Sequence, residues 1–185
     1  MTDIDLKKRK FKMRLYINLA CDILEIPTPY IHYRIPKNVS NNLGVTFKKG
    51  NYYHIYLNSE YESEVILYNV CLHECRHVYQ SMVCDSPMAY IIEPKELVDA
   101  WRNNLKCYIG NQIENYELQP LELDAYAFGD YVYNTMHGQE MIVRKDFVRK
   151  ALLKRIMELS DIYTEEEILS IASDYFNIEQ KKTTM

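Results

Sequence analysis

The feature that most constrains what this chain can fold into is the segment 58–83, which no proline or glycine interrupts. The next such residue along the chain is Pro87. Ser59 is followed three positions later by Glu62, which is the spacing of a capping box. In a capping box the hydroxyl and the carboxylate satisfy free backbone N–H groups at a helix start. The segment is therefore predicted to be a helix that begins near Ser59.

This predicted helix carries an H-E-x-x-H motif made by His73, Glu74 and His77. Residues four positions apart on an α-helix are separated by about 40° around its axis. The two imidazoles therefore project side by side, which suits two ligands of one zinc ion. Glu74 lies roughly 100° round from His73, where a carboxylate can act as general base on a water at the metal. The alternative is a solvated helix face whose histidines have no function, because the motif also arises by chance.

Pro120 and Gly138 bound another predicted helix, over residues 120–137. Proline is favoured at the first position of a helix, and glycine just beyond its last. His137, in the last turn, is predicted to interact with the helix dipole. His137 is also an alternative candidate for a metal ligand.

Glu122 is the predicted third metal ligand, because it shares a helix face with small residues that let a neighbouring helix approach. Asp124 lies about 200° round from Glu122, so the two cannot serve one ion on an undistorted helix. In the alternative interpretation both acids are exposed near a helix N-terminus, where the dipole favours negative charge. The face has four members spaced three or four positions apart: Glu122, Ala125, Tyr126 and Gly129.

Apolar periodicity predicts a helix and a small sheet ahead of the H-E-x-x-H segment. Apolar residues recur every fourth position in segment 4–26, which predicts a helix that Pro27 ends. Residues 30–35 alternate in polarity and predict a short strand. The alternating segments 43–47 and 53–57 flank a glycine-containing turn, which predicts a β-hairpin.

The rest of the chain is predicted to be largely helical. One helix begins at Pro94, and two more cover residues 144–160 and 164–176. The last of these opens on a capping box formed by Thr164 and Glu167. Helix pairs of this kind complete a core or a dimer interface more often than they bind DNA. The order of helix, three-stranded sheet and further helices is typical of an α+β fold.

Composition limits the classes of protein. With 185 residues, 48% of them hydrophobic, the chain is predicted to form one domain over residues 1–178. Residues 179–185 are predicted to be a disordered tail. A net charge of −4 gives no reason to expect nucleic acid or an anionic membrane as a partner. No apolar segment is long enough to span a membrane, and no secretory signal is present, so a cytoplasmic location is expected.

The remaining candidate ligands favour simpler interpretations. The five cysteines include no C-x-x-C pair, and Cys71 and Cys75 are predicted to be buried reduced thiols. Cys71 and Cys75 lie on the same predicted helix as the motif histidines, which leaves a second metal site as an alternative. His32 and His54 fall on predicted strands and are expected to be ordinary surface histidines. The seventeen tyrosines are expected to line a surface or a cleft.

The H-E-x-x-H motif followed by Glu122 resembles the gluzincin class of zinc metallopeptidases. More narrowly, it resembles the minimal cytoplasmic forms, of which the ImmA/IrrE-type proteases of mobile genetic elements are one. The resemblance covers roughly residues 30–137 and leaves 144–176 as a helical extension. It implies a minimal zincin-like fold, with His73, His77 and Glu122 as zinc ligands and Glu74 as general base. It also implies that the strand Tyr52–Leu57 forms the edge along which an extended peptide pairs.

One position departs from the pattern of this class. Related zincins often carry an aspartate four residues after the ligand glutamate, and that position is Tyr126 here. Its hydroxyl could orient a zinc histidine or act on the developing oxyanion. Tyr116 is the other candidate for the oxyanion donor.

These observations together predict a zinc-dependent metalloendopeptidase, a hydrolase acting on a protein or peptide substrate. The alternative is a catalytically weak or inactive binding module that keeps the zincin scaffold and holds a partner peptide. The sequence leaves the oligomeric state open.

Overall fold

Helices surround a small mixed sheet in the computed structural model, which describes residues 2–110, 115–138 and 145–176. The predicted α+β class is confirmed. The strands are β1 (Tyr30–His32), β2 (Gly44–Lys49) and β3 (Tyr52–Leu57). The described helices are α1 (Asp3–Ile23), α2 (Glu64–Asp85), α3 (Ala89–Ile92), α4 (Lys95–Lys106), α5 (Pro120–His137), α6 (Asp146–Ser160) and α7 (Glu165–Tyr175).

The sheet has the strand order β1-β3-β2, with β1 parallel to β3 and β2 antiparallel to it. The predicted hairpin is confirmed, and Gly50 in its turn has a φ of 61°, which glycine adopts at little cost. The prediction that Tyr52–Leu57 is an edge strand is wrong, because β1 and β2 pair with its two sides. Within the described part of the chain, β2 is the edge strand beside the H-E-x-x-H helix, and no described strand pairs with its outer side. β1 is also shorter than the predicted strand of residues 30–35.

Helix α2 begins later than the sequence predicts. Ser63 caps it, with its hydroxyl accepting a hydrogen bond from the backbone N–H of Ile66. Ser59 is buried and donates instead to the backbone oxygen of Tyr33 at 3.0 Å. The predicted capping box at Ser59 and Glu62 is therefore wrong, because Ser59 ties the chain after β3 to the chain after β1.

The other predicted helices are found with small shifts. α1 ends at Ile23, ahead of Glu25, whose φ of 53° is incompatible with a helix. α4 begins one residue after Pro94, which occupies the N-cap. α5 covers 120–137 as predicted and ends at Gly138, whose φ is 62°.

The C-terminal helices confirm the predicted elements as far as the described residues reach. The capping box of Thr164 and Glu167 opens α7 as predicted, and α6 begins at Asp146. Two predictions lie outside the described residues: the start of the first of these helices at Arg144, and the disordered tail of residues 179–185. No described helix has both the length and the apolar composition needed to cross a membrane.

The close packing of α5 on α2 positions the predicted metal ligands. A Cβ on Gly129 would lie 3.2 Å from Asn69 Nδ2, so the absence of a side chain lets the two helices approach. Asn69 then donates a buried hydrogen bond of 3.0 Å to Asp130. This contact holds the two helices side by side, with His73 on one and Glu122 on the other.

Candidate metal centre

His73, His77 and Glu122 converge on one point between α2 and α5. The two Nε2 atoms lie 3.0 Å apart, and each is 3.4 Å from an oxygen of Glu122. This group could hold a metal ion. Helical spacing on α2 brings the histidines together, and the contact with α5 adds the carboxylate.

The site is buried and leaves polar atoms unsatisfied. Glu122 is 1% exposed, so the interpretation of it as an exposed acid is wrong. Among the residues that the structure describes, Glu122 Oε2 and His73 Nδ1 have no hydrogen-bond partner. Burying an unpaired polar atom costs about 1–3 kcal/mol. A cation bound between the three side chains would satisfy the carboxylate oxygen.

Electrostatics couple the imidazoles to the carboxylate. Burial favours the neutral form of His77, but contact with the Glu122 carboxylate outweighs it and raises the pKa of His77 to about 9. Burial likewise opposes ionisation of Glu122, yet the two imidazoles hold the pKa of its carboxyl well below the ordinary value. Metal binding must therefore displace a proton from His77.

Glu74 lies beside the three candidate ligands and is held by strand β2. The hydroxyl of Thr46 donates a 2.7 Å hydrogen bond to Glu74 Oε2. Burial raises the pKa of the Glu74 carboxyl, since water stabilises the charged form only weakly there. Gly44 leaves the space that this carboxylate occupies: a Cβ on Gly44 would lie 2.6 Å from Glu74 Oε1 and from Val70 Cγ1.

We expect Gly44→Ala to lower the free energy of unfolding by about 1–3 kcal/mol, because the added methyl group overpacks the contact between β2 and α2. Urea denaturation measures this loss. Gly110→Ala is the matched control, since a Cβ there meets no heavy atom within 4 Å. Equal stability of the two variants would contradict the close approach of Gly44 to Glu74.

A cleft of about 560 Å³ opens over the three candidate ligands, with β2 along one wall. Tyr108 and Tyr116 line it. The hydroxyl of Tyr108 donates to Glu122 Oε1 at 2.6 Å, and the two phenol oxygens lie 2.7 Å apart. Tyr108 could not be predicted as a site residue, since nothing in its local sequence distinguishes it from the other tyrosines.

The ring of Tyr126 packs against His73, with ring centroids 4.4 Å apart. The predicted hydrogen bond from this hydroxyl to the histidine does not form at Nδ1, which has no partner among the described residues. Tyr126 therefore contacts His73 through its ring. Its predicted catalytic role stays a prediction.

Asp124 is not one of the three converging side chains, as the helical geometry predicted, and lies in a buried cluster of charged residues. It is 1% exposed and accepts hydrogen bonds from Arg76 and from Arg155, both at 2.8 Å. Burial opposes its ionisation, but the two guanidinium groups lower the pKa of its carboxyl. The interpretation of Asp124 as an exposed acid is therefore wrong.

The other histidines lie away from the candidate metal centre. His137 hydrogen-bonds the hydroxyl of Tyr16 at 2.8 Å, which does not support it as a ligand. His32 and His54 form a hydrogen bond of 3.0 Å on the sheet. Cys71 and Cys75 are buried free thiols, as predicted.

Comparisons of the chain with protein-family models, with curated proteins and with solved structures give no match. The resemblance to gluzincins therefore depends on the motif residues alone.

Proposed function

We propose that the protein is a zinc-dependent peptidase that hydrolyses peptide bonds with Glu74 as general base. The observation that carries the proposal is the convergence of His73, His77 and Glu122 beside Glu74 at the base of a cleft. Two imidazoles and one carboxylate, with a fourth position open to water, are a ligand set of catalytic zinc sites.

The distances between the candidate ligand atoms suit zinc. Tetrahedral coordination with bonds of about 2.0–2.1 Å separates ligand atoms by roughly 3.3 Å. The distances from His73 Nε2 are 3.0 Å to His77 Nε2 and 3.4 Å to Glu122 Oε2. The unpaired Glu122 oxygen also supports a cation at this point.

When bound, zinc supplies a Lewis acid that polarises the scissile carbonyl and makes a coordinated water more acidic. Glu74 accepts the proton of the attacking water and passes it to the leaving amine. Thr46 holds Glu74 Oε2, so we assign the proton transfer to Oε1. A raised pKa suits this role, because a base that must also act as acid works best when its pKa approaches the ambient pH.

Tyr108 and Tyr116 are the best-placed donors for the oxyanion. Burial and the negative charge of Glu122 raise the pKa of both phenols. They therefore stay protonated. The single O–H of Tyr108 donates to Glu122 Oε1 in this structure, so it must turn from Glu122 to the substrate to donate to an oxygen that gains negative charge. We assign this role to them ahead of Tyr126, whose contact with His73 is through its ring.

The free edge of β2 supports an extended peptide as the substrate. A peptide can add to an exposed sheet edge through main-chain hydrogen bonds. Thr46 and its neighbours on β2 line the cleft, so a peptide paired with this strand would pass over Glu74. We assign this role to β2 and not to β3, the strand that the family resemblance implies.

Elemental analysis tests the metal site directly. We expect about one zinc ion per chain in protein purified without added metal, and a sharp loss in Glu122→Gln, which removes a ligand charge while keeping the side-chain shape. Glu96→Gln is the control, since Glu96 is exposed on α4. A wild-type chain that takes up no zinc even when zinc is supplied would contradict the proposal.

One observation favours the alternative, a binding module on the same scaffold. Catalytic zinc histidines almost always donate their second ring N–H to a partner, whereas His73 Nδ1 has none among the described residues. A module of this kind would bind zinc and hold an extended peptide without cleaving it. Mass spectrometry of a peptide mixture before and after incubation with the protein distinguishes the two functions.

A further inference from the structure

We infer that helix α6 completes the metal centre, in that its Arg155 acts through Asp124 and Gln80 to position the imidazole of His77. The inference rests on the proposed metal site. It gives α6 a role that the sequence left open between a core and a dimer interface.

The hydrogen bonds of Gln80 determine which nitrogen of His77 carries the proton. The amide Nε2 of Gln80 lies 3.0 Å from the backbone oxygen of Leu121 and 2.7 Å from Asp124 Oδ2. Both of these atoms only accept hydrogen bonds, so the NH₂ group must face them. Gln80 Oε1 then faces His77 Nδ1 at 2.8 Å and must accept from it. Neutral His77 therefore carries its proton on Nδ1.

This tautomer is the one that metal binding needs. With the proton on Nδ1, the lone pair of His77 Nε2 points at His73 and Glu122, the other two candidate ligands. Gln80 is 1% exposed, so water does not compete for the contact. Gln80 is thus a positioning residue for His77.

Asp124 holds Gln80, and Arg155 orients Asp124. Arg155 Nε donates a 2.8 Å hydrogen bond to Asp124 Oδ1, and its Nη2 lies 2.8 Å from the same oxygen, so α6 holds this oxygen of the carboxylate through a charge-assisted contact. The other oxygen, Oδ2, then accepts from Gln80 and from Arg76. Arg155 is thereby connected to His77 through two buried side chains, Asp124 and Gln80.

Zinc affinity tests the inference without a substrate. Affinity is measured by competition with a chromophoric chelator. We expect Gln80→Met to weaken zinc binding about 10–100-fold, the usual effect of losing the partner of a ligand histidine. Arg155→Met is also expected to weaken zinc binding. Lys154→Met is the matched control, because Lys154 is the neighbouring cation on α6 and its side chain is 82% exposed.

A double-mutant cycle distinguishes a relay from two unrelated structural effects. If Arg155 acts through Gln80, the double variant binds zinc no more weakly than Gln80→Met alone. Losses that add in the double variant would overturn the relay. Circular dichroism confirms that each variant is folded, and Arg155→Lys, which keeps the charge but loses the planar fork, replaces Arg155→Met if that variant unfolds.

A second readout tests the tautomer itself. ¹⁵N spectra of the zinc-free protein at about pH 10, where His77 is neutral, are expected to show the proton on Nδ1 in the wild type and a mixture of tautomers in Gln80→Met. Unchanged spectra and unchanged zinc affinity in folded Gln80→Met would overturn the inference and leave the proposed function standing. A wild type that binds no zinc would contradict the proposed function, and the spectra would still decide the inference.

Discussion

Replacing Asp124 with asparagine is expected to lower the free energy of unfolding by about 3–5 kcal/mol, because it leaves buried charges uncompensated. Arg76 is fully buried and Arg155 is 8% exposed, and both donate to this carboxylate. The amide of asparagine has no charge and presents N–H groups where two guanidinium groups already donate. The substitution leaves in place only a longer contact of Arg76 among the described acidic residues, that with Glu93 at 3.6 Å.

Urea denaturation with wild type and Asp124→Asn measures this loss. Asp99→Asn is the control: Asp99 pairs with Lys95 on the surface, and exposed pairs contribute about 0–1 kcal/mol. Replacing Asp124, Arg76 and Arg155 together with apolar residues of similar size is expected to recover much of the stability, as removing a whole buried ion cluster often does. A loss in Asp124→Asn no larger than that in Asp99→Asn would contradict the electrostatic role of this cluster.

The parts of the site that follow from helical periodicity could be predicted from the sequence. His73 and His77 lie one turn apart on α2, and Glu122 lies on the face of α5 that Gly129 lets approach α2. The limits of α5 were also predictable, because Pro120 and Gly138 act through local backbone geometry. Each of these depends on residues close together in the chain.

The parts that depend on tertiary pairing could not be predicted. Alternating polarity predicts β2 and β3 as strands, but it carries no information on which strand pairs with β1. The edge strand that the family resemblance implies, Tyr52–Leu57, is therefore the wrong one. Ser59 and Ser63 are equally suitable helix caps by residue type. Which of them caps α2 depends on the hydrogen bond that Ser59 donates to the backbone oxygen of Tyr33.

The buried polar network was missed for a related reason. Asp124 and Arg155 are ordinary charged residues in the sequence, and only the packing of α6 on α5 makes them partners. Gln80 is three residues after His77, at a helical spacing that predicts contact, so this one member had a local signal. This spacing alone does not predict how the Gln80 amide is oriented, because the hydrogen bond to Asp124 fixes that orientation.

Glu74→Gln is expected to keep the zinc ion and to lower the rate of peptide hydrolysis by about 10²–10⁴-fold, the usual contribution of general acid–base catalysis. Zinc is retained because Glu74 is not one of the three ligands. The amide has nearly the shape of the carboxylate, and its oxygen can still accept the hydrogen bond from Thr46. It cannot accept a proton from water at neutral pH, so only the proton transfer is lost.

The measurement uses a defined mixture of unstructured peptides, with cleavage products identified by mass spectrometry and zinc content determined on the same samples. His77→Ala, which removes a ligand, is expected to lose both zinc and hydrolysis, whereas Glu96→Gln, on the exposed face of α4, is expected to keep both. Full hydrolysis by Glu74→Gln would end the proposal of a peptidase with Glu74 as general base, because the amide cannot accept the proton of the attacking water. If the wild type binds zinc but cleaves no peptide, and only His77→Ala loses the zinc, the result would instead favour the binding module. In that case β2 holds a peptide that Glu74 does not cleave.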